Sequence, residues 1–97
     1  MTQEEIRERN KQIALMLGLN HDKEAVVYKM RQYSWDSLKF DLDWNWLMET
    51  VEFVKSVTDK NLEELKYEVT HLFITSSKKR VFIAVSDFAK LYNEKKI

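Results

Sequence analysis

One glycine, Gly18, and no proline occur in this chain of 97 residues, which limits where the backbone can turn sharply. Glycine adopts positive φ without steric cost, and asparagine is among the next most tolerant residues. Tight turns are therefore predicted at Gly18 or at asparagines such as Asn20 and Asn61. The same scarcity of glycine excludes a glycine-rich phosphate-binding loop.

The charges and the missing cysteines narrow the function classes. Sixteen basic and sixteen acidic residues cancel, so no net field favours nucleic acid or a membrane surface. Without cysteine there is no disulfide, thiolate metal site or cysteine nucleophile. No segment approaches the roughly 20 apolar residues of a membrane span, and the first residues do not resemble a signal peptide. We expect a single domain, residues 1–97, in the cytoplasm.

The first half of the chain predicts a helix followed by a hairpin. Thr2 and Glu5 form a capping-box pattern, and Gly18 ends this helix, whose narrow apolar stripe places it at the edge of the core. Residues 26–33 and 38–42 each alternate apolar and polar side chains, as in strands. Residues 34–37 between them are mostly polar, so the two runs predict a β-hairpin.

A second helix is predicted from Asp43 to residue 57. Its apolar residues form two adjacent stripes that together span roughly 220°, more than the 100° or so that one-sided packing needs. Trp46 and Phe53 lie on the second stripe. Either this helix lies between two layers or its extra face meets another chain, and we expect a homo-oligomer.

The second half of the chain predicts a strand and a final helix. Asn61 and Glu64 could cap one helical turn, and residues 67–74 then alternate like a central strand. Thr75, Ser76 and Ser77 are N-cap candidates for the last helix. The predicted fold is α+β: a small single domain of about three strands (a hairpin plus one), two main packed helices and a peripheral N-terminal helix.

The most distinctive polar run is Thr75, Ser76, Ser77, Lys78, Lys79 and Arg80. Its cations occupy the first turn of the predicted last helix, where they oppose the helix dipole unless an anion lies nearby. Helix amides, hydroxyls and cations are also the components of a phosphate site. The run therefore predicts an anion- or nucleotide-binding site, and the alternative is a solvated helix start neutralised by Glu63 or Glu64.

Aromatic and cationic residues mix on the predicted hairpin. Tyr28, Tyr33 and Trp35 accompany Lys29 and Arg31, a combination that nucleotide and single-strand binders use for stacking. The alternative is that these rings belong to the core or to an interface.

Asp41 and Asp43 form a DxD pattern, a spacing found in some metal-dependent transferases. The favoured interpretation is that Asp41 faces solvent and Asp43 caps the following helix. His21 and His71 belong to no metal-binding spacing, and His71 is interpreted as a structural side chain. We therefore expect no metal site, no cofactor and no catalytic set.

Two segments, "DWNWLMETVEFV" and "SKKRVFIAVSDFAKLYNEK", resemble small uncharacterised proteins of phages, prophages and mobile elements. Those proteins carry a Trp-Asp/Asn-Trp-Leu-Met helix with a later Val and Glu, and end in a helix with Ala-Val, Phe, Tyr and Asn. The matching residues are Trp44, Asn45, Trp46, Leu47, Met48, Val51, Glu52, Ala84, Val85, Phe88, Lys90, Tyr92 and Asn93. Asn10–Gly18 is similar to the opening helix of that family.

This chain has Glu49 where the family commonly has proline and Leu91 where it commonly has tryptophan. The resemblance implies an αβα-like layering and a phage or mobile-element origin, and it implies no reaction.

The leading hypothesis is a non-enzymatic accessory protein that acts by binding in the cytoplasm of a bacterial host. It would serve counter-defence or host takeover by sequestering a small nucleotide or by docking on a host protein. The alternatives are a nucleic-acid-binding regulator and a small metal-dependent nuclease.

Overall fold

The structure is a computed structural model that describes residues 1–95. In chain order it contains helix α1 (Gln3–Met16), strands β1 (Ala25–Tyr28) and β2 (Arg31–Ser34), a 3₁₀ turn (Trp35–Ser37) and helix α2 (Trp44–Ser56). A second 3₁₀ turn (Lys60–Leu62) leads into helices α3 (Glu63–Thr75) and α4 (Lys78–Lys95). The α+β prediction is confirmed in its coarse form, since four helices accompany a two-stranded antiparallel sheet.

Helix α1 begins and ends where the sequence predicts. The Thr2 hydroxyl accepts a hydrogen bond from the Glu5 N–H at 3.1 Å, and Gly18 has φ +70° just beyond the helix. The helix is not peripheral, however, because Ile13, Ala14 and Met16 are fully buried. The narrow stripe suffices for burial since α1 lies along α4, the most extensive helix pairing in the fold.

Polar contacts fix the pairing of α1 with α4 at two points. Arg9 Nη1 donates to Ser86 Oγ and to Asp87 Oδ1, each at 2.8 Å. About two turns further along α4, Asn93 Nδ2 donates to the Gln12 carbonyl oxygen at 3.0 Å. Helices from opposite ends of the chain therefore share one side of the core.

The hairpin is shorter than predicted and lies entirely within residues 25–34. Ala25 pairs with Ser34 and Tyr28 with Arg31, so the turn consists of Lys29 and Met30 alone. Both turn residues have positive φ, 52° and 67°, in the manner of the type I′ turns that match strand twist. The prediction that such turns fall only on glycine or asparagine was wrong here, because the pairing of the flanking strands imposes the geometry.

The segment predicted as the second strand of the hairpin, residues 38–42, is irregular. It closes on itself through hydrogen bonds from the Leu42 and Asp43 N–H groups to the Lys39 carbonyl. Leu38 and Phe40 are buried whereas Leu42 is 67% exposed. The alternation thus reflects two side chains that enter the core from a loop.

The third predicted strand was wrong, since residues 67–74 lie within α3. Leu65, Val69 and Leu72 have helical spacing and contribute to the core, so tertiary packing overrides the β-favouring composition. Within residues 1–95 the sheet has two strands.

Candidate functional site

A cleft lies between α1 and the loop that follows it. Gly18 reverses the chain, and the Leu19 N–H returns to the Ala14 carbonyl at 3.3 Å, so that residues 19–24 run back beside the helix. The cleft has a volume of about 450 Å³ and is lined by Arg7, Lys11, Leu15, His21, Asp22, Lys23 and Trp35. This volume lies within the range of small-molecule sites.

Hydrogen bonds hold the loop wall of this cleft in place. Asp22 Oδ1 accepts from the N–H groups of Glu24 and Ala25, both at 2.8 Å, and these bonds lower the pKa of Asp22. The Trp35 indole N–H donates to the Asp22 carbonyl at 3.1 Å. The His21 ring meets the Trp35 ring edge-on, with centroids 5.6 Å apart. The loop and the indole therefore form one fixed wall.

The opposite wall is one face of α1. Arg7, Lys11 and Leu15 follow one another at intervals of four residues, so they lie on the same side of the helix. Arg7 lines the cleft and its Nε pairs with Asp36 Oδ1 at 2.6 Å. With Lys23 on the loop, cations approach the cleft from both walls.

Sequence reasoning missed this cleft because its residues come from three separate segments. The four-residue spacing from Arg7 to Leu15 was visible in the sequence, as was the reversal at Gly18. The sequence did not indicate that residues 19–24 would fold back against Trp35 next to this face of α1.

The predicted anion run, residues 75–80, lies across the turn between α3 and α4. Ser77 Oγ accepts weakly from the Arg80 N–H at 3.5 Å, and Thr75 Oγ1 donates back to the His71 carbonyl at 3.0 Å. Lys78 Nζ donates to the Leu42 carbonyl at 2.7 Å. Lys79 and Arg80 are exposed, and Ser76 is half-buried at the end of α3. Thr75, Ser77 and Lys78 therefore make hydrogen bonds that stabilise the connection between α3 and α4.

The predicted stacking residues separate into three places. Trp46 is the centre of an aromatic cluster, with ring centroids 4.4 Å from Tyr28, 5.0 Å from Tyr33 and 5.2 Å from Phe40. Trp35 lies in the cleft wall, and Phe53 packs edge-on against Tyr92 of α4. Tyr28, Trp35 and Trp46 are each more than nine-tenths buried.

The Tyr28 hydroxyl links this aromatic cluster to a charge pair. It donates to Glu49 Oε2 at 2.5 Å, while Lys29 Nζ pairs with Glu49 Oε1. The contacts with Lys29 and Tyr28 lower the pKa of Glu49. Burial, together with the neighbouring carboxylate, raises the pKa of Tyr28 well above its ordinary value.

The exposed apolar side chains of α2 are not on the stripe that was predicted to meet a partner. Trp46 is buried, whereas Trp44 and Met48 are 41% and 44% exposed. Trp44 meets Phe73 of α3 edge-on at 5.9 Å, so this surface continues from α2 onto α3.

The aspartates of the DxD pattern have separate structural roles. Asp43 caps α2 by accepting from the Asn45 N–H at 2.8 Å, as predicted. Asp41 is half-buried and accepts from Nδ2 of the buried Asn10 at 3.1 Å, instead of facing solvent. Across residues 1–95, no group of three or more His, Cys, Asp or Glu side chains is placed to hold a metal ion.

Comparisons of the chain with protein-family models, curated proteins and solved structures find no match. In the part of the chain that the structure describes, no helix has both the length and the apolar character needed to cross a bilayer.

Proposed function

We propose that this protein binds a small nucleotide in the cleft between α1 and the loop of residues 19–24. It would act without catalysis, as a phage or mobile-element accessory protein that sequesters its ligand in the cytoplasm of a bacterial host. The observation that carries the proposal is the meeting of cations from two walls beside a fixed indole.

The cationic groups suit the phosphate part of such a ligand. Arg7 and Lys11 project from one helix face, and Lys23 faces them from the loop. Arginine can bind phosphate through two parallel N–H bonds, while lysines contribute mobile point charges. Phosphate would thereby gain charge-assisted hydrogen bonds from Lys11 and Lys23, and from Arg7 in competition with its carboxylate partner Asp36.

The remaining lining suits the base. The Trp35 indole N–H is bonded to the Asp22 carbonyl, so the ring does not need to be ordered when a ligand binds. The His21 ring and the Leu15 side chain complete an apolar and aromatic floor. A nucleoside without phosphate and phosphate alone would each use only half of these contacts.

Titration of the purified protein with ATP, AMP, adenosine and inorganic phosphate, followed by calorimetry and tryptophan fluorescence, tests the proposal. We expect ATP and AMP to bind, and adenosine and phosphate to bind at least about tenfold more weakly. Lys11→Glu and Lys23→Glu should each weaken ATP binding by about tenfold or more. Lys60→Glu, at an exposed position outside the cleft, is the matched control.

A parallel variant separates the cleft from the start of α4. If Lys79→Glu abolishes ATP binding while Lys11→Glu leaves it intact, the ligand binds at residues 75–80 and the cleft assignment is wrong. If none of the nucleotides binds, the proposed function is wrong.

A further inference from the structure

The outward face of α3 carries a stripe that its own fold does not cover. Glu64, Tyr67, His71 and Ile74 are exposed and follow one another at intervals of three or four residues, so they lie on one side of the helix. Tyr67 is 73% exposed and Ile74 is 82% exposed. Exposed large apolar side chains on one helix face are typical of an interaction surface.

The apolar surface extends from this stripe toward α2. The Trp44 ring contacts Phe73, the neighbour of Ile74, and Met48 lies one turn further along α2. Lys66 Nζ bonds the Val57 carbonyl at the far end of α2, so the two helices run antiparallel side by side. Trp44 and Met48 therefore flank the half of α3 that bears Ile74.

The two ends of α3 carry opposite charges. Glu63 and Glu64 lie in its first turn, and the exposed cations Lys79 and Arg80 lie just beyond its last turn, in the first turn of α4. His71 lies close to the midpoint between these groups. Tyr67 precedes His71 by four residues and Ile74 follows it by three. The two apolar residues, and likewise the acidic and basic groups, are thus placed at nearly equal distances along the chain on either side of His71.

We infer that a second copy of this chain docks on α3 in antiparallel orientation, with a two-fold axis near His71. In that arrangement Tyr67 of each copy packs against Ile74 of the other. Glu63 and Glu64 of each copy lie opposite Lys79 and Arg80 of the other. The surface is its own complement in charge and in apolar position, which is the requirement of an isologous interface.

The size of the surface sets the expected strength. A 13-residue helix is about 20 Å long, so α3 with its α2 flank provides an interface at the small end of the specific class. We therefore expect a weak dimer whose population rises with concentration through the micromolar range.

Sedimentation equilibrium over that concentration range tests the inference. Ile74→Glu should yield a monomer at every concentration, because it introduces a carboxylate at the apolar contact. Glu64→Lys and Lys79→Glu should each weaken the dimer by about tenfold or more, because each faces like charge across the axis. Lys90→Glu, exposed on α4, is the matched charge-reversal control and should dimerise normally.

Mixing the Glu64→Lys and Lys79→Glu proteins gives the most specific test. In the mixed dimer, the new lysine at position 64 of one copy faces the new glutamate at position 79 of the other, and the other end keeps its wild-type pair. Dimers should therefore reappear at near wild-type affinity. A monomeric wild-type chain, or a dimer unaffected by Ile74→Glu, would overturn the inference. Dimers that the mixture fails to restore would overturn the antiparallel arrangement. Nucleotide binding to Ile74→Glu should be unchanged, which keeps this test separate from that of the cleft.

Discussion

Trp44 and Trp46 are two residues apart on α2 and have opposite environments. Trp46 is enclosed by three other aromatic rings, whereas Trp44 has one ring neighbour and is 41% exposed. Two residues along a helix correspond to a rotation of about 200°, which separates a core face from an outer face. The chemistry of the side chain is the same on both faces, so only its position distinguishes a core role from an interaction role.

Truncation of the two tryptophans should produce the largest contrast. Trp46→Ala removes the centre of the aromatic cluster and should lower the free energy of unfolding by about 3–5 kcal/mol. Trp44→Ala should lower it by less, about 1–2 kcal/mol, because the side chain is 41% exposed and packs mainly against α3. Urea denaturation followed by circular dichroism measures both, and equal losses would contradict the assigned environments. Should Trp46→Ala fail to fold, Trp46→Phe should still lose more than Trp44→Phe.

The hydroxyl at the edge of the cluster should matter less than its rings. Tyr28→Phe removes the donor of the short hydrogen bond, and Glu49→Gln replaces its charged acceptor by a neutral one. Each should cost about 1 kcal/mol, because the Glu49 side chain is 44% exposed. A double-mutant cycle in urea measures their coupling. A coupling near zero would show that the contact does not stabilise the fold.

The contact between Tyr28 and Glu49 should also make the stability of the fold depend on pH. Tyr28 has a raised pKa in the folded state, so its contribution is complete below the ordinary value of 10.0 and is lost as the pH rises above it. Glu49 has a lowered pKa, so its contribution is present above 4.5 and is lost as the pH falls through the folded value. Tyr28→Phe should flatten the alkaline decline in stability, and Glu49→Gln the acid decline. If each variant keeps the wild-type profile, the assignment is wrong.

The hairpin turn next to the cluster offers a gain in stability. Met30 has φ 67° and is 98% exposed, so Met30→Gly relieves an unfavourable backbone conformation without loss of packing. We expect about 0.5–1 kcal/mol of added stability by urea denaturation. Gly18→Ala is the opposite case at φ 70° and should lose about 1 kcal/mol. A loss with Met30→Gly would argue against the turn geometry.

The smallest expected effect is at the outer face. Ile74→Ser should change the stability of the monomer by less than about 0.5 kcal/mol, since the side chain is 82% exposed. Unfolding at a low protein concentration isolates this monomer term. A loss of several kcal/mol would place Ile74 in the core and remove it from the proposed interface.

Sequence patterns succeeded where one local interaction decides the structure. The Thr2 and Asp43 caps and the reversal at Gly18 each depend on a few neighbouring atoms, and all three are present. The strand prediction for residues 67–74 was wrong because their sequence pattern is also compatible with a helix. The packing of Val69 and its neighbours against the core decides between strand and helix. The type I′ turn was not predicted because Lys29 and Met30 are not residue types that favour such turns.

The candidate sites divide in the same way. Residues 75–80 are contiguous and could be singled out, although the hydrogen bond of Lys78 to Leu42 depends on a loop 36 residues away. The cleft depends on the path of residues 19–24 over Trp35 and could not be assembled from spacing alone. On α2, periodicity predicted more apolar surface than a one-sided core needs. The packing of Tyr28 and Phe40 around Trp46 leaves Trp44 and Met48 as the exposed part of that surface.

The pairing of α1 with α4 has a consequence for synthesis on the ribosome. Ile13, Ala14 and Met16 of α1 are synthesised well before α4, the helix that covers them, because the hairpin, α2 and α3 lie between the two in the chain. Until α4 emerges, the nascent chain must carry α1 with its buried face open to solvent or to chaperones. Contacts that join the two ends of a chain are also the slowest to close by diffusion. The emergence of α4 therefore determines when α1 can be covered.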